Sequence, residues 1–312
     1  MLDATNFHIP VMLDKVLEYL VTPNSRLVVD ATVGAGGHAR AIMNANPAVH
    51  LLAIDRDPSA LDIARVTLAD YANRVTFVRA NYAEIGATLR EAGGVDGVLL
   101  DLGVSSMQLD TPGRGFSHGL AGPLNMNMSQ EGTTALEFIR RASHEELMAV
   151  MKKFGEVRRA GRIARAIKKA ADGDMLSTTR DLKVAIESGS GGYTPPGRLS
   201  QVFQAIRIAV NDELGSLEKF LRLVPANMNR GARLVTLSYH SLEDRMIQEF
   251  MKRESTDCLC PPSVPVCSCA HKAILKVLTR RVVKPTTAEV EKNPRGRSAR
   301  LRAAEFLTGE LL

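Results

Sequence analysis

Three acids in this chain each close a short apolar run, and their positions frame a chemistry. Asp30 ends Arg26-Leu-Val-Val-Asp30, Asp55 ends Val49-His-Leu-Leu-Ala-Ile-Asp55, and Asp101 ends Val95-Asp-Gly-Val-Leu-Leu-Asp101. Between the first two lies a glycine-rich turn, Thr32-Val-Gly34-Ala-Gly36-Gly37-His38. Such glycines let backbone approach a ligand and aim helix N–H groups at it. In dinucleotide-binding turns that ligand is a pyrophosphate, which Asp30 would repel. An acid there suits a cation, such as the sulfonium or amino group of S-adenosylmethionine. Asp55 stands roughly 20 residues beyond the glycines, the spacing at which an acid holds ribose hydroxyls. Asp57 is the better candidate for the helix cap. Asp101 falls at the carboxyl edge of a strand, where open α/β sheets bind ligands. The set favours a methyltransferase over a nicotinamide dehydrogenase. For the glycine turn taken alone, a turn without ligand is the plain alternative.

The elements needed to hold these residues can be read from periodicity. A short amphipathic helix spans Met12 to Leu20. The three acid-tipped strands and Val75-Thr-Phe-Val78 alternate with helices at 39–44 and 59–71. That alternation implies right-handed βαβ units and a parallel sheet covered on both faces. After Asp110 the chain turns rich in Gly, Pro and Asn, and then helical. Ser143-His-Glu-Glu146 forms a capping box, a helix is expected over 156–171, and Thr178 or Thr179 caps another. No strand is expected between about Leu109 and Gln204. A long helix over 203–224, mildly interrupted at Gly215, leads back to a strand, Ala232 to Ser238, and to a helix capped by Ser241. Strands follow at Leu275–Val283 and Ser298–Ala304. The fold class is α/β: a Rossmann-like methyltransferase sheet over 1–108 and 206–312, with an all-helical insert over 109–205.

Composition narrows the partners. The 312 residues carry a net charge of +6, which favours polyanions because basic side chains release counterions from phosphates. The absence of Trp and the few aromatics argue against a broad base-stacking platform. The first residues lack the apolar core of a signal peptide, and no apolar run is long enough to span a bilayer. All four cysteines fall in one short stretch, which is no disulfide framework for a chain of this size. A cytoplasmic protein is the expectation.

At these motifs the sequence closely resembles the 16S rRNA (cytosine-N4) methyltransferases, the family called RsmH or MraW. Matching stretches include His8-Ile-Pro-Val-Met-Leu13, Asp30 to His38, Ala53 to Pro58, Asp96 to Ser106 and Arg114-Gly-Phe-Ser117. Others are Arg162 to Ile167, Phe203 to Leu214, Ser238-Tyr-His-Ser-Leu-Glu-Asp-Arg245 and Asn293-Pro-Arg-Gly-Arg-Ser298. They run in the family's order along nearly the whole chain. The resemblance implies S-adenosylmethionine as methyl donor, a cytidine in the decoding region of 16S rRNA within the small ribosomal subunit as target, and a helical substrate-recognition domain inserted after the fourth strand. It places cofactor contacts at Gly36, Gly37, His38, Asp55, Tyr82, Asp101 and Gln108. Asp30 and Gly34 join them on the reading above. Tyr82 replaces a Phe common in the family, and its ring can still stack on adenine. Two departures bear on substrate choice. Gly122-Pro-Leu-Asn-Met-Asn-Met128 carries Asn125 and Asn127 where the family has an acid and a base. A His-Pro-Ala-Thr-Arg stretch is replaced by Gly197-Arg-Leu-Ser-Gln-Val202.

The exocyclic amine of cytosine is a poor nucleophile and a sulfonium is a strong electrophile. Positioning, plus an acceptor for the amine's hydrogen bonds, carries most of the catalysis. The Asp-Pro-Pro-Tyr type of motif found in DNA amino-methyltransferases is absent, and Asp101-Leu-Gly-Val-Ser-Ser106 stands instead. Asp101, oriented by Ser105 or Ser106, is the catalytic candidate. His240 is a second candidate, weighed against a buried structural histidine. Tyr239 or Phe116 could stack on a flipped base. Basic clusters at Lys152–Lys169 and at Arg295, Arg297, Arg300 and Arg302 are candidate phosphate contacts, against the plain alternative of solvated faces. Cys258, Cys260, Cys267 and Cys269 admit a structural zinc, but the tight Cys-x-Cys spacing does not lead us to expect one, and no metal is expected in catalysis. The competing functions are methylation of another RNA or DNA, and a non-catalytic ribosome assembly factor with a retained cofactor pocket.

Overall fold

The computed structural model describes residues 10–261 and 266–308. His8 and Ile9, which open one matching stretch, lie outside them. Contacts divide the chain into two compact units, one of residues 1–103 and 215–312 and the other of residues 104–214.

The first unit begins with α1 (Leu13–Leu20), β1 (Leu27–Asp30), α2 (Gly37–Ala45), β2 (His50–Asp55), α3 (Pro58–Thr67), β3 (Val75–Arg79), α4 (Gly86–Glu91) and β4 (Val95–Asp101). The second unit holds α5 (Ser106–Asp110), α6 (Ala135–Arg141), α7 (His144–Gly155), α8 (Ala160–Asp172), α9 (Thr179–Ser190) and α10 (Pro196–Asn211). The first unit resumes at Gly215, within α11 (Glu213–Leu223), and continues with β5 (Met228–Ser238), α12 (Ser241–Glu254), β6 (Leu275–Val277), α13 (Thr287–Lys292) and β7 (Arg300–Phe306).

The seven strands form one sheet in the order β3-β2-β1-β4-β5-β7-β6. The first five are parallel, and β7 runs antiparallel to both its neighbours. This is the class I methyltransferase sheet. Alternation along the strands supplies both faces. Val28, Leu51, Ala53, Leu99 and Val235 pack with α1, α2 and α3 residues such as Val16, Ile42 and Leu61. Val29, Leu52, Ile54, Val98 and Leu234 pack with Leu89, Phe220, Ile247 and Phe250. The central strands β1, β2 and β4 are thus apolar along most of their length because each face is covered. β1 has β2 on one side and β4 on the other, so the switch point lies between β1 and β4, at the ends carrying Asp30 and Asp101.

The second unit has its own core, with Met126, Ile139, Met151, Ile163, Ile167, Leu182 and Phe203 buried together. On α8 the buried positions are Ala160, Ile163, Ala164, Ile167 and Ala171, one stripe at helical spacing. α9 reaches α8 closely at Gly189, where a Cβ would stand 2.7 Å from the Ile163 Cα. No side chain larger than hydrogen fits this crossing.

Several expected boundaries move. The helix expected over 203–224 is two helices, broken at Asp212, which adopts a left-handed φ of 46°, rather than at Gly215. The expected domain cut at 205/206 would divide α10, whose Val202, Phe203, Ala205 and Ile206 all belong to the second unit's core. The unit therefore extends from 104 to 214. The helix expected from Glu156 starts at Ala160, because Glu156 and Arg159 are both left-handed and end one helix before the next begins. The strand expected over 275–283 shrinks to Leu275–Val277, with Val283 adding one isolated bridge to Leu301. His240, not Ser241, caps α12.

Candidate active site

The glycine turn leaves β1 and enters α2. Gly36 caps α2 at φ 85°, and a Cβ there would lie 3.3 Å from the Thr67 side chain. Only glycine meets both the left-handed backbone and the close approach of α3. Gly37 then opens α2. Gly34 donates its N–H to Asp55 Oδ2 at 2.9 Å, and Asp57 donates its own to Oδ1 at 2.9 Å. Asp55 is thereby fixed at the tip of β2. Asp57 accepts from the Ser59 N–H and caps α3, as its position in the sequence suggests.

Asp30 is fully buried, with its carboxylate accepting the Thr32 N–H at 3.2 Å. Burial pushes its carboxyl up to about 8, aided by the charges of Asp101 and Asp55 and opposed by the Thr32 bond. Asp55 rises to about 6, again through burial, against the N–H groups of Asp57 and Gly34. Two carboxyls held above their ordinary range beside one glycine turn make the site receptive to a cation.

Asp101, at the tip of β4, is the meeting point. Its N–H donates to Thr32 Oγ1 at 2.8 Å, tying the ends of β1 and β4 together. Its Oδ1 accepts the Tyr239 hydroxyl at 2.9 Å. Its Oδ2 lies 3.6 Å from His38 Nδ1, and the opposite edge of that ring donates from Nε2 to the Val11 carbonyl at 3.0 Å. The Tyr239 hydroxyl is pushed well above its ordinary range, chiefly by burial and then by the Asp101 charge, so it serves as a permanent donor. Tyr239, considered from sequence only as a stacking ring, is instead a partner of Asp101.

The turn that aims Tyr239 is built by α12's cap. Glu243, buried in the first turn, accepts the Tyr239 N–H at 3.0 Å and the His240 N–H at 3.4 Å. His240 Nδ1 accepts the Glu243 N–H at 3.3 Å, and Nε2 lies 3.0 Å from Glu243 Oε1, off a hydrogen-bonding direction. His240 is thus engaged at Nδ1 by its own helix, while its buried Nε2 makes no hydrogen bond. Asp244, the next residue, accepts Arg302 Nε at 2.6 Å and Arg300 Nη1 at 2.9 Å. Two of the four C-terminal arginines expected to grip phosphate are therefore committed to an internal carboxylate, while Arg295 and Arg297 are exposed.

Tyr82 follows β3, and its ring meets Phe220 edge-on at 5.7 Å. Ser105, Ser106 and Gln108 belong to the second unit. There Ser105 caps α5, accepting the Gln108 N–H at 3.2 Å, while Gln108 Oε1 accepts the Ser105 N–H at 3.1 Å. Ser106 is the first residue of that helix. The Asn pair also has a use. Asn127 donates to the Glu131 and Thr133 carbonyls at 2.7 and 3.0 Å and accepts the Ser129 hydroxyl at 2.8 Å. Asn125 accepts the Asn127 N–H at 3.0 Å. Where the family pattern has opposite charges, this chain has amides that fold their own loop.

Also in the second unit, His144, Met148, Lys152, Arg159, Arg162 and Arg165 line one groove. Of its cations, Arg162 and Arg165 lie on the side of α8 opposite the buried stripe. Sequence reasoning missed Thr32 as a tie between strands, since a threonine in a turn carries no signal of its bond to a residue on another strand.

A family model described as the MraW methylase family matches residues 5–307. The chain belongs to this family. It is 43% identical over 316 residues to a ribosomal RNA small subunit methyltransferase H of Nitratidesulfovibrio vulgaris (strain DSM 19637 / Miyazaki F), covering 97% of this chain and 87% of the relative. It is similar to proteins of the same name from Oleidesulfovibrio alaskensis (43% over 310 residues; 96% and 94%) and Syntrophotalea carbinolica (43% over 307 residues; 96% and 98%). The motifs gathered at the strand ends therefore sit in a family matched along almost its full length.

Proposed function

We propose that this protein methylates N4 of a decoding-region cytidine in the 16S rRNA of the small ribosomal subunit, using S-adenosylmethionine, in the cytoplasm. The observation that carries the reading is the convergence of Asp30, Asp55 and Asp101 on one glycine turn at the sheet's switch point. The residues fit the cofactor: Asp30 is a buried carboxyl whose ionisation a cationic amino group or sulfonium would restore. Asp30, Gly34, Gly36, Gly37 and His38 form the cradle for its amino-acid end. Asp55 takes the ribose and Tyr82 the adenine, and Gln108 is the further cofactor contact that the family resemblance implies. When bound, the cofactor would supply an activated methyl group for transfer to the cytosine nitrogen, which would give up a proton.

Asp101 accepts a hydrogen bond from the target amine, so that positive charge growing on nitrogen meets a carboxylate. Tyr239 holds that carboxylate in place. Ser105 and Ser106 orient the target from the start of α5. His240 positions the Tyr239 turn through the Nδ1 cap it provides for α12. The sheet unit is the methyltransferase domain and the helical unit binds substrate, with the Lys152–Arg165 groove against phosphates. Among the described residues no helix is long and apolar enough to cross a membrane.

The test is methyl transfer from labelled S-adenosylmethionine to small subunits from a strain lacking this gene, with mass spectrometry of the rRNA. Label on N4 of one decoding-region cytidine is expected. Cofactor binding without label would overturn the proposal in favour of an assembly factor, and label on another RNA would reassign the substrate.

A further inference from the structure

The four cysteines take no part in methyl transfer. They lie in the loop that leaves α12 and enters β6, two in each Cys-x-Cys pair. All four sulfurs lie within 4.8 Å of one another. Cys258 and Cys267 are 3.4 Å apart, Cys267 and Cys269 3.6 Å, and Cys258 and Cys269 3.9 Å. A tetrahedral zinc with sulfur ligands at about 2.3 Å separates those sulfurs by about 3.8 Å. Disulfides would draw sulfurs into pairs at about 2.05 Å, whereas here Cys267 is shared between two neighbours.

The backbone around the sulfurs is arranged for negative charge. The Leu259 N–H, between the first two cysteines, points to Cys269 Sγ at 3.3 Å. The Ser268 N–H, between the second two, points to Cys260 Sγ at 3.5 Å. Each pair thus donates to a sulfur of the other, the outer-shell support that ligated sulfur requires. Among the described residues of 255–270 none is buried. Leu259 and Val266 are 45% and 76% exposed, and three of the cysteines are exposed as well. The loop's far end is tied by polar bonds and by Ile274, which packs partly buried against the sheet core. Ile274 N–H donates to the Glu254 carbonyl, Ala273 N–H to Asp257 Oδ1, and His271 Nε2 lies 3.0 Å from the Arg253 carbonyl. The grouped ligand atoms are the four sulfurs alone, without His271. Clustered sulfurs without hydrophobic burial are the signature of a segment folded by metal.

We propose that Cys258, Cys260, Cys267 and Cys269 form a structural tetrathiolate site for one zinc ion, which pins the loop between α12 and β6. Four thiols release four protons to the solvent and bind Zn²⁺ through four sulfurs. Four protein ligands leave no open position, so the site holds structure and does no chemistry.

The test uses the full chain, purified without a metal-affinity tag, with zinc measured by mass spectrometry and thiols titrated before and after denaturation. One zinc per chain is expected, with thiols masked until denaturation. After chelation, cobalt(II) alone should restore intense tetrahedral thiolate bands. Trypsin cleavage at the exposed Lys272 should speed up on the order of tenfold on chelation and slow again with zinc. The Cys258→Ser/Cys269→Ser variant should lose the metal; if it fails to fold, chelation and reloading of the unmodified chain give the same reading. Four free thiols without stoichiometric zinc, cysteines paired as disulfides, or zinc retained by the double variant would each overturn the proposal. None of these readings depends on methyl transfer.

Discussion

Tyr239 and Asp101 lie 138 positions apart in the chain and 2.9 Å apart at the sheet edge. A hydrogen bond to a charged group is worth about 1.5–3 kcal/mol. Tyr239→Phe should therefore lower kcat by about 10- to 100-fold while leaving the KM for cofactor nearly unchanged, read by steady-state kinetics on ribosomal particles. A matching rise in KM would place Tyr239 in cofactor binding instead. Asp101→Ala should cost about 10²-fold or more in kcat, and full turnover in that variant would remove Asp101 from the chemistry. Asp30 ties the site to pH. Its folded carboxyl stands near 8 against an ordinary 3.8. Between about pH 4 and pH 8 the unfolded chain ionises while the folded one keeps its proton, so this residue's contribution to stability falls as pH rises and levels off above 8. A cation bound beside it reverses the balance. Affinity for S-adenosylmethionine should rise with pH by up to about tenfold per unit below 8, with proton release on binding. Calorimetry in buffers of different ionisation enthalpy measures that proton; binding without release would mean Asp30 is not the partner. The acids could be read from the sequence because an acid after an apolar run marks a strand tip. The Tyr239 and Thr32 bonds could not, since neither partner carries a local signal of the other.

On α8 the buried stripe and the basic face are two readings of one 3.6-residue period. Removing Arg162 and Arg165 should weaken RNA binding and flatten its salt dependence, by roughly 1.5 in the slope of log K against log salt if both contact phosphates. Leu182 and Ile167 remain packed, so the thermal midpoint should hold. An unchanged slope would return those arginines to the class of solvated surface charges. Other elements show why periodicity misleads at ends. The apolar pattern runs straight through 203–224, yet Asp212 turns left-handed and splits it, because an acid in that conformation leaves no compositional mark. The cap of α12 falls on His240 rather than the conventional serine beside it, since the ring nitrogen does the work of a hydroxyl.

At the level of the whole chain, the alternation of apolar strands with helices specified the parallel half of the sheet and announced the helical insert. The antiparallel hairpin of β6 and β7 was poorly marked, because Val283 reaches the sheet by a single bridge rather than as part of a strand. The insert's edges could not be placed either, as α10 belongs wholly to a core that only three-dimensional packing reveals. The same interruption has a consequence during synthesis. β4 pairs with β1 on one side and with β5 on the other, and the whole of residues 104–214 is made between them. At ordinary elongation rates that leaves the β4 edge open for on the order of ten seconds as the chain emerges. An unpaired apolar strand edge invites association with other chains. Ribosome-stalled chains whose β5 is still inside the exit tunnel should accordingly be trapped by a holdase chaperone, and chains extended until β5 has emerged released; equal capture of both would show that pairing with β5 is not what closes the edge.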